Sequence, residues 1–68
     1  MKVQSILFSI KKWKPKKIQE WLYHHDYKPI KRLHKTENYY RARIRNPNKN
    51  NQYITHSLSN GVKLVIAI

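Results

Sequence analysis

Residues 14–26 read KPKKIQEWLYHHD, and theirs is the one stretch of the 68-residue chain whose apolar spacing is helical. Ile18, Trp21, Leu22 and His25 recur at three- and four-residue intervals, which lines them along one stripe of an α-helix. Pro15 has no backbone N–H to lose in a first turn, and its fixed φ suits that position. With Lys14 at the N-cap, Trp13 falls at N′ and Ile18 at N4, the spacing of a hydrophobic staple. Lysine offers no oxygen to the free N–H groups of the first turn, so the helix starts weakly capped. Pro29 pushes Lys28 toward extended geometry, which predicts a helix over residues 15–25, stopping near His25 and Asp26.

Outward from this helix the pattern changes to strands. On the N-terminal side, residues 2–8 (KVQSILF) are apolar on both faces and read as an internal strand. A basic loop holding Trp13 joins it to the helix. On the C-terminal side, residues 29–35 (PIKRLHK) read as a weak strand, with Pro29 at its beginning or on an edge. Thr36, Glu37 and Asn38 make a polar turn. Residues 39–45 (YYRARIR) alternate cleanly: Tyr40, Ala42 and Ile44 on one face, Tyr39, Arg41, Arg43 and Arg45 on the other. A loop by composition (NPNKNN, residues 46–51) leads to a strand over residues 52–58, with Ile54 and Leu58 on one face. Asn60-Gly61 is a hairpin signal, and residues 62–68 (VKLVIAI) are apolar enough to lie inside the sheet. The expected fold class is α+β: a single domain over residues 1–68, in the order β-α-β-β-β-β. Its small, mostly antiparallel sheet has the helix packed on one face, with Ile18, Trp21 and Leu22 against Val62, Leu64 and Ile66.

Charge is the strongest compositional feature. Fifteen Lys and Arg face three acids, Glu20, Asp26 and Glu37, for a net charge of +12. All but Lys2 and Lys63 lie between Lys11 and Lys49, so the ends of the chain build the core while the middle carries the field. Such a field attracts polyanions. Anionic membranes are the weaker fit, because an interfacial helix needs a free apolar face and folding uses this one. No apolar run approaches the ~20 residues of a membrane span, and no small-residue cleavage site follows the first ten residues, so none is read as a signal peptide. With no cysteine, disulfides and thiolate zinc sites are excluded.

Three clusters are candidate sites. Arg41, Arg43 and Arg45, with Tyr39, form a strand face able to pair with phosphates and stack on bases; the plainer reading is a solvated outer face that discourages edge pairing. Lys11, Lys12, Lys14, Lys16 and Lys17 surround the helix start, where free N–H groups and the positive dipole end suit a phosphate; the plainer reading is a solubilising loop. Lys31 and Arg32 extend the basic surface. Trp13 and Trp21 read as core. His24, His25, His34 and His56 share no metal-ligand spacing, so no metal or cofactor is expected. Scattered carboxylates and serines without a nucleophile motif give catalysis no footing.

The segments VQSILF, Trp13, Trp21-Leu22 with His25, YKPIKRLHKT, YYRARI and GVKLVI, in that order, resemble a small uncharacterised basic domain of large eukaryotic DNA viruses, with related modules on phage structural proteins. The resemblance covers nearly the whole chain. It departs at Lys14, where Thr or Ser would be expected before the helix, and at Asp26, where Gly is frequent; both touch helix capping rather than the basic face. It implies a viral or virion setting, inside the virion or the host-cell compartment where the viral genome is handled, and no enzyme activity. The residues and the resemblance together predict a non-enzymatic module that binds nucleic acid, DNA ahead of RNA, through its phosphates with little sequence specificity, in genome organisation or packaging. The alternative is a structural or adaptor protein whose basic face docks on an acidic virion protein such as a capsid inner surface. Apolar residues on both faces of the first and last strands leave a homo-oligomer open.

Overall fold

A computed structural model describes residues 2–47 and 50–68. Five strands and one helix follow the expected order: β1 (Lys2–Ser9), α1 (Pro15–His24), β2 (His34–Lys35), β3 (Tyr39–Arg43), β4 (Tyr53–Ser57) and β5 (Val62–Ala67). The strands form one sheet in the order β2-β3-β1-β5-β4, every neighbouring pair antiparallel. β1 is therefore central and β5 internal, as their two-sided apolar character predicts.

The core lies between α1 and one face of the sheet. Ile18 and Leu22 of α1 are buried with Ile6 and Phe8 of β1, Ala42 of β3 and Val62 of β5. Register explains the set: Ala42 lies opposite Ile6, Tyr40 and Val62 opposite Phe8, and Leu64 opposite Ile6 on the other side. Trp13 and Trp21 meet the Phe8 ring edge-on at centroid distances of 5.1 and 5.4 Å, an arrangement the aromatic quadrupole favours. The expected helix contact is shifted by one strand. Val62 is buried and Leu64 packs against the core, but the centre is β1 and β3, and Ile66 lies outside the cluster.

Helix α1 begins as expected, with Pro15 in the first turn and no side-chain cap at Lys14. Its stop has a different cause from Pro29. Asp26 adopts a left-handed φ of 59°. The N–H of Tyr27 then reaches the carbonyl of Leu22 and that of Asp26 the carbonyl of Tyr23. This pair of bonds is a Schellman motif, with Tyr27 folded back toward the core.

Three other expectations are corrected. Of residues 29–35 only His34 and Lys35 are strand; upstream, the backbone touches the sheet through the Ile30 N–H to the Arg43 carbonyl. β4 is shorter than residues 52–58 by one residue at each end. Arg45 does not continue β3. A register shift between Val3 and Ser5 bulges β1 at Gln4, whose carbonyl accepts both the Ile44 and the Arg45 N–H. Two donors on one acceptor end the ladder and turn Arg45 off the strand face.

The hairpin signal holds. Asn60 and Gly61 both have positive φ, and the Leu58 N–H closes on the Val62 carbonyl. The expected loop over residues 46–51 is irregular where described, and Asn48 and Lys49 lie outside the described residues. Among the described residues no helix is long and apolar enough to cross a membrane.

Candidate nucleic-acid interface

Because α1 covers one face of the sheet, the other is open, and register places the residues on it. The alternation of β3 sends Ala42 into the core and Arg41 and Arg43 to the open side. β2 pairs His34 with Arg41. Continuing across the sheet, Leu7 lies opposite Arg41, Lys63 opposite Leu7 and Ser57 opposite Lys63. One row of the open face is thus His34, Arg41, Leu7, Lys63 and Ser57.

At the β2 edge this face is concave. Lys31, Arg32, Arg41 and Arg43 line one hollow together with His34 and Thr36, and no acid lines it. Two local features build it. The Ile30 N–H to Arg43 carbonyl bond, 2.9 Å, ties the approach to β2 against the end of β3 and brings Lys31 and Arg32 beside the arginines. The β2–β3 turn is closed by Thr36, whose hydroxyl donates to the Tyr39 carbonyl at 2.9 Å and accepts the Tyr39 N–H at 3.2 Å.

Arg41 is held from beneath. Its Nε donates to Ser5 Oγ at 3.3 Å, the Ser5 hydroxyl donates to Gln4 Oε1, and Gln4 Nε2 donates to the Arg45 carbonyl. Ser5 and Gln4 are buried polar residues, so this chain satisfies them and anchors the guanidinium by one donor of its five. The other four N–H groups of Arg41 have no acceptor among the described residues. The side chains of Lys31, Arg32 and Arg43 make no hydrogen bond or ion pair there either, and the one ion pair among the described residues, Lys17 with Glu20 at 3.8 Å, lies on α1. Four cations with free donors around one hollow repel one another, and an anion in the hollow relieves that repulsion.

The structure therefore unites four of the expected site residues, Lys31, Arg32, Arg41 and Arg43, and separates the rest. Arg45 sits at the far end of the sheet in a shallow hollow with Lys2, Tyr53 and Ala67. Tyr39 is on the open face but outside the cationic hollow, with Lys63 Nζ 5.3 Å from its ring centroid, a cation–π contact across β1. Lys11, Lys12, Lys14, Lys16 and Lys17 are all exposed around the start of α1. Of these, Lys12 and Lys17 share a shallow surface with Trp13 and Asn60, where Trp13 Nε1 donates to the Asn60 carbonyl at 2.7 Å. His34 and Thr36 are members the sequence reading did not place at the site; a two-residue strand has too little periodicity to declare its register. No three His, Cys, Asp or Glu among the described residues converge as metal ligands.

No family model matches the chain. No curated protein and no solved structure matches it either.

Proposed function

We propose that the protein binds nucleic acid through its phosphates, with the hollow formed by Lys31, Arg32, Arg41 and Arg43 as the principal contact and with no catalytic step. The observation that carries this reading is the convergence of four cations, unpaired among the described residues, on a surface with no acid. Arginine forks match phosphate oxygens two at a time, and Thr36 and His34 at the rim add further polar groups. Phosphate contacts position a protein on nucleic acid without reading its sequence, so affinity should depend weakly on base order. The resemblance to a viral basic domain would place this binding in genome organisation or packaging.

The test is a titration of fluorescently labelled random-sequence DNA by the purified chain, competed by heparin and by an acidic protein. Binding to unrelated duplexes with similar affinity, surviving a modest heparin excess, supports the reading. Equal loss to heparin and DNA competitors, with tight one-to-one binding to the acidic protein, would replace it by docking on an acidic protein surface.

A further inference from the structure

The two edges of the sheet are built differently. β2 is two residues long and includes Lys35, and its approach carries Lys31 and Arg32, the charged and abbreviated kind of edge that discourages strand pairing. β4 is five residues long and has none of these protections. Residues 50–62 contain no Lys, Arg, Asp or Glu, in a chain of net charge +12. β4 contains no proline and no bulge in its pairing with β5.

Alternate residues of β4 bond to β5. The Leu58 N–H to Val62 carbonyl bond and the Ile68 N–H to Gln52 carbonyl bond fix which residues face β5. By alternation Ile54 and His56 also point their amides inward, and Thr55 and Ser57 point theirs outward, where no strand follows in the sheet. The apolar residues of this edge are exposed as well: Ile54 at 46%, Leu58 at 40% and Ile68 at 54%. An uncharged strand that offers the outward backbone groups of Thr55 and Ser57, unbonded among the described residues, beside apolar flanks is a template for another strand.

We propose that β4 docks a second copy of this chain, antiparallel and strand to strand, joining two five-stranded sheets into one of ten. Three observations select this occupant. A two-fold contact is self-complementary, so any strand that offers free groups and no charge at Thr55 finds the same in its copy. The charge-free window makes this edge the side on which two copies of +12 approach with least repulsion. An acidic peptide, in contrast, is drawn to the cationic hollow at the opposite edge. The register that centres the pair puts Thr55 opposite Thr55 of the second copy, Tyr53 opposite Ser57 and Ile54 opposite His56. Threonine pairs directly across a strand interface are favourable.

The two-fold axis of an antiparallel pair stands perpendicular to the sheet. Both helices then lie on one side and both open faces on the other, so the dimer presents two cationic hollows to one partner surface. Dimerisation itself does not rest on the nucleic-acid reading, and salt separates the two. Screening weakens a phosphate contact but strengthens the association of like-charged copies.

The experiment is sedimentation equilibrium of the full chain over a salt series, without nucleic acid. The expected result is a mass of twice the 8.3 kDa chain, with dimerisation tightening as salt rises. Thr55→Lys and Ser57→Lys, both at exposed positions, should sediment as monomers with an unchanged circular dichroism spectrum. Because the chain has no cysteine, a Thr55→Cys variant reports the register directly. A hydrogen-bonded antiparallel pair holds its Cα atoms ~5.5 Å apart, within disulfide reach. Mild oxidation should link Thr55→Cys dimers and leave a Lys35→Cys control on β2 unlinked. A parent that stays monomeric at high salt, or a Lys35→Cys variant that links as readily as Thr55→Cys, overturns the proposal.

Discussion

Gly61 is the only glycine in the chain, and the geometry around it fixes what a replacement should cost. Its φ of +75° lies in the left-handed region, where alanine pays about 1–2 kcal/mol. A Cβ built there meets Ser9 Cβ at 2.9 Å, and Lys12 Cδ at 3.3 Å. Lys12 can swing away, but Ser9 Cβ is attached to the central strand, and the neighbouring Ser9 N–H to Gly61 carbonyl bond, 2.9 Å, holds the two segments together. Forcing an extra carbon into such a contact costs about 1–3 kcal/mol. Against this, the stiffer unfolded chain returns about 0.4–1 kcal/mol. Gly61→Ala should therefore destabilise by about 3 kcal/mol, which for a small domain lowers the melting temperature by about 12–24 °C. The assay is thermal unfolding by circular dichroism, in the parent and in a Ser9→Gly background. Removing the Ser9 Cβ removes the contact and leaves the backbone term, so Gly61→Ala should cost about 1 kcal/mol there. An equal loss in both backgrounds would refute the close approach of the β4–β5 turn to β1, and an unchanged melting temperature in the parent would refute the turn geometry as well.

Asp26→Gly should stabilise by about 1 kcal/mol, because glycine occupies the left-handed helix stop without strain and an acid is removed from the negative end of the helix dipole. A melting temperature that falls instead would mean the Asp26 side chain contributes more than its backbone costs. Trp21→Ala removes the edge-on contact with Phe8 and the parallel one with Tyr27 at 6.0 Å, and should destabilise by about 3 kcal/mol. That is a large share of the ~3–10 kcal/mol available to a domain of this length. A parent-like melt combined with weakened DNA binding would make Trp21 a ligand platform rather than core.

Much of the fold was legible because short-range chemistry declared it. Pro15 and the spacing of Ile18, Trp21 and Leu22 mark the helix; Asn60-Gly61 marks the hairpin; the alternation of YYRAR sends Ala42 inward and the arginines outward. What stayed hidden depends on partners distant in sequence. The Gln4 bulge arises where β1 must match β3 and β5 at once, and nothing local in VQS announces that Arg45 will leave the strand. Asp26 stands where the resembled domain frequently has Gly, but an acid does not itself declare a left-handed φ, and Pro29 is the louder local stop signal. The site was half visible for the same reason. Arg41 and Arg43 follow from alternation, but Lys31 and Arg32 join them through the Ile30–Arg43 backbone bond, a pairing that leaves no periodic trace.

Whether the hollow lined by Lys31, Arg32, Arg41 and Arg43 takes nucleic-acid phosphates is decided by the salt dependence of DNA binding in an Arg41→Gln, Arg43→Gln variant. Both side chains lie on the open face, so the variant should keep the parent's circular dichroism spectrum and most of its thermal stability. If each cation of the hollow neutralises one phosphate, the parent's log–log slope of affinity against salt on duplex DNA is at least about −3.6 in magnitude. The variant should bind more weakly at every salt concentration, with a slope flatter by about 1.8. A folded variant with the parent's slope would contradict the claim and move the contact to the lysines around the start of α1.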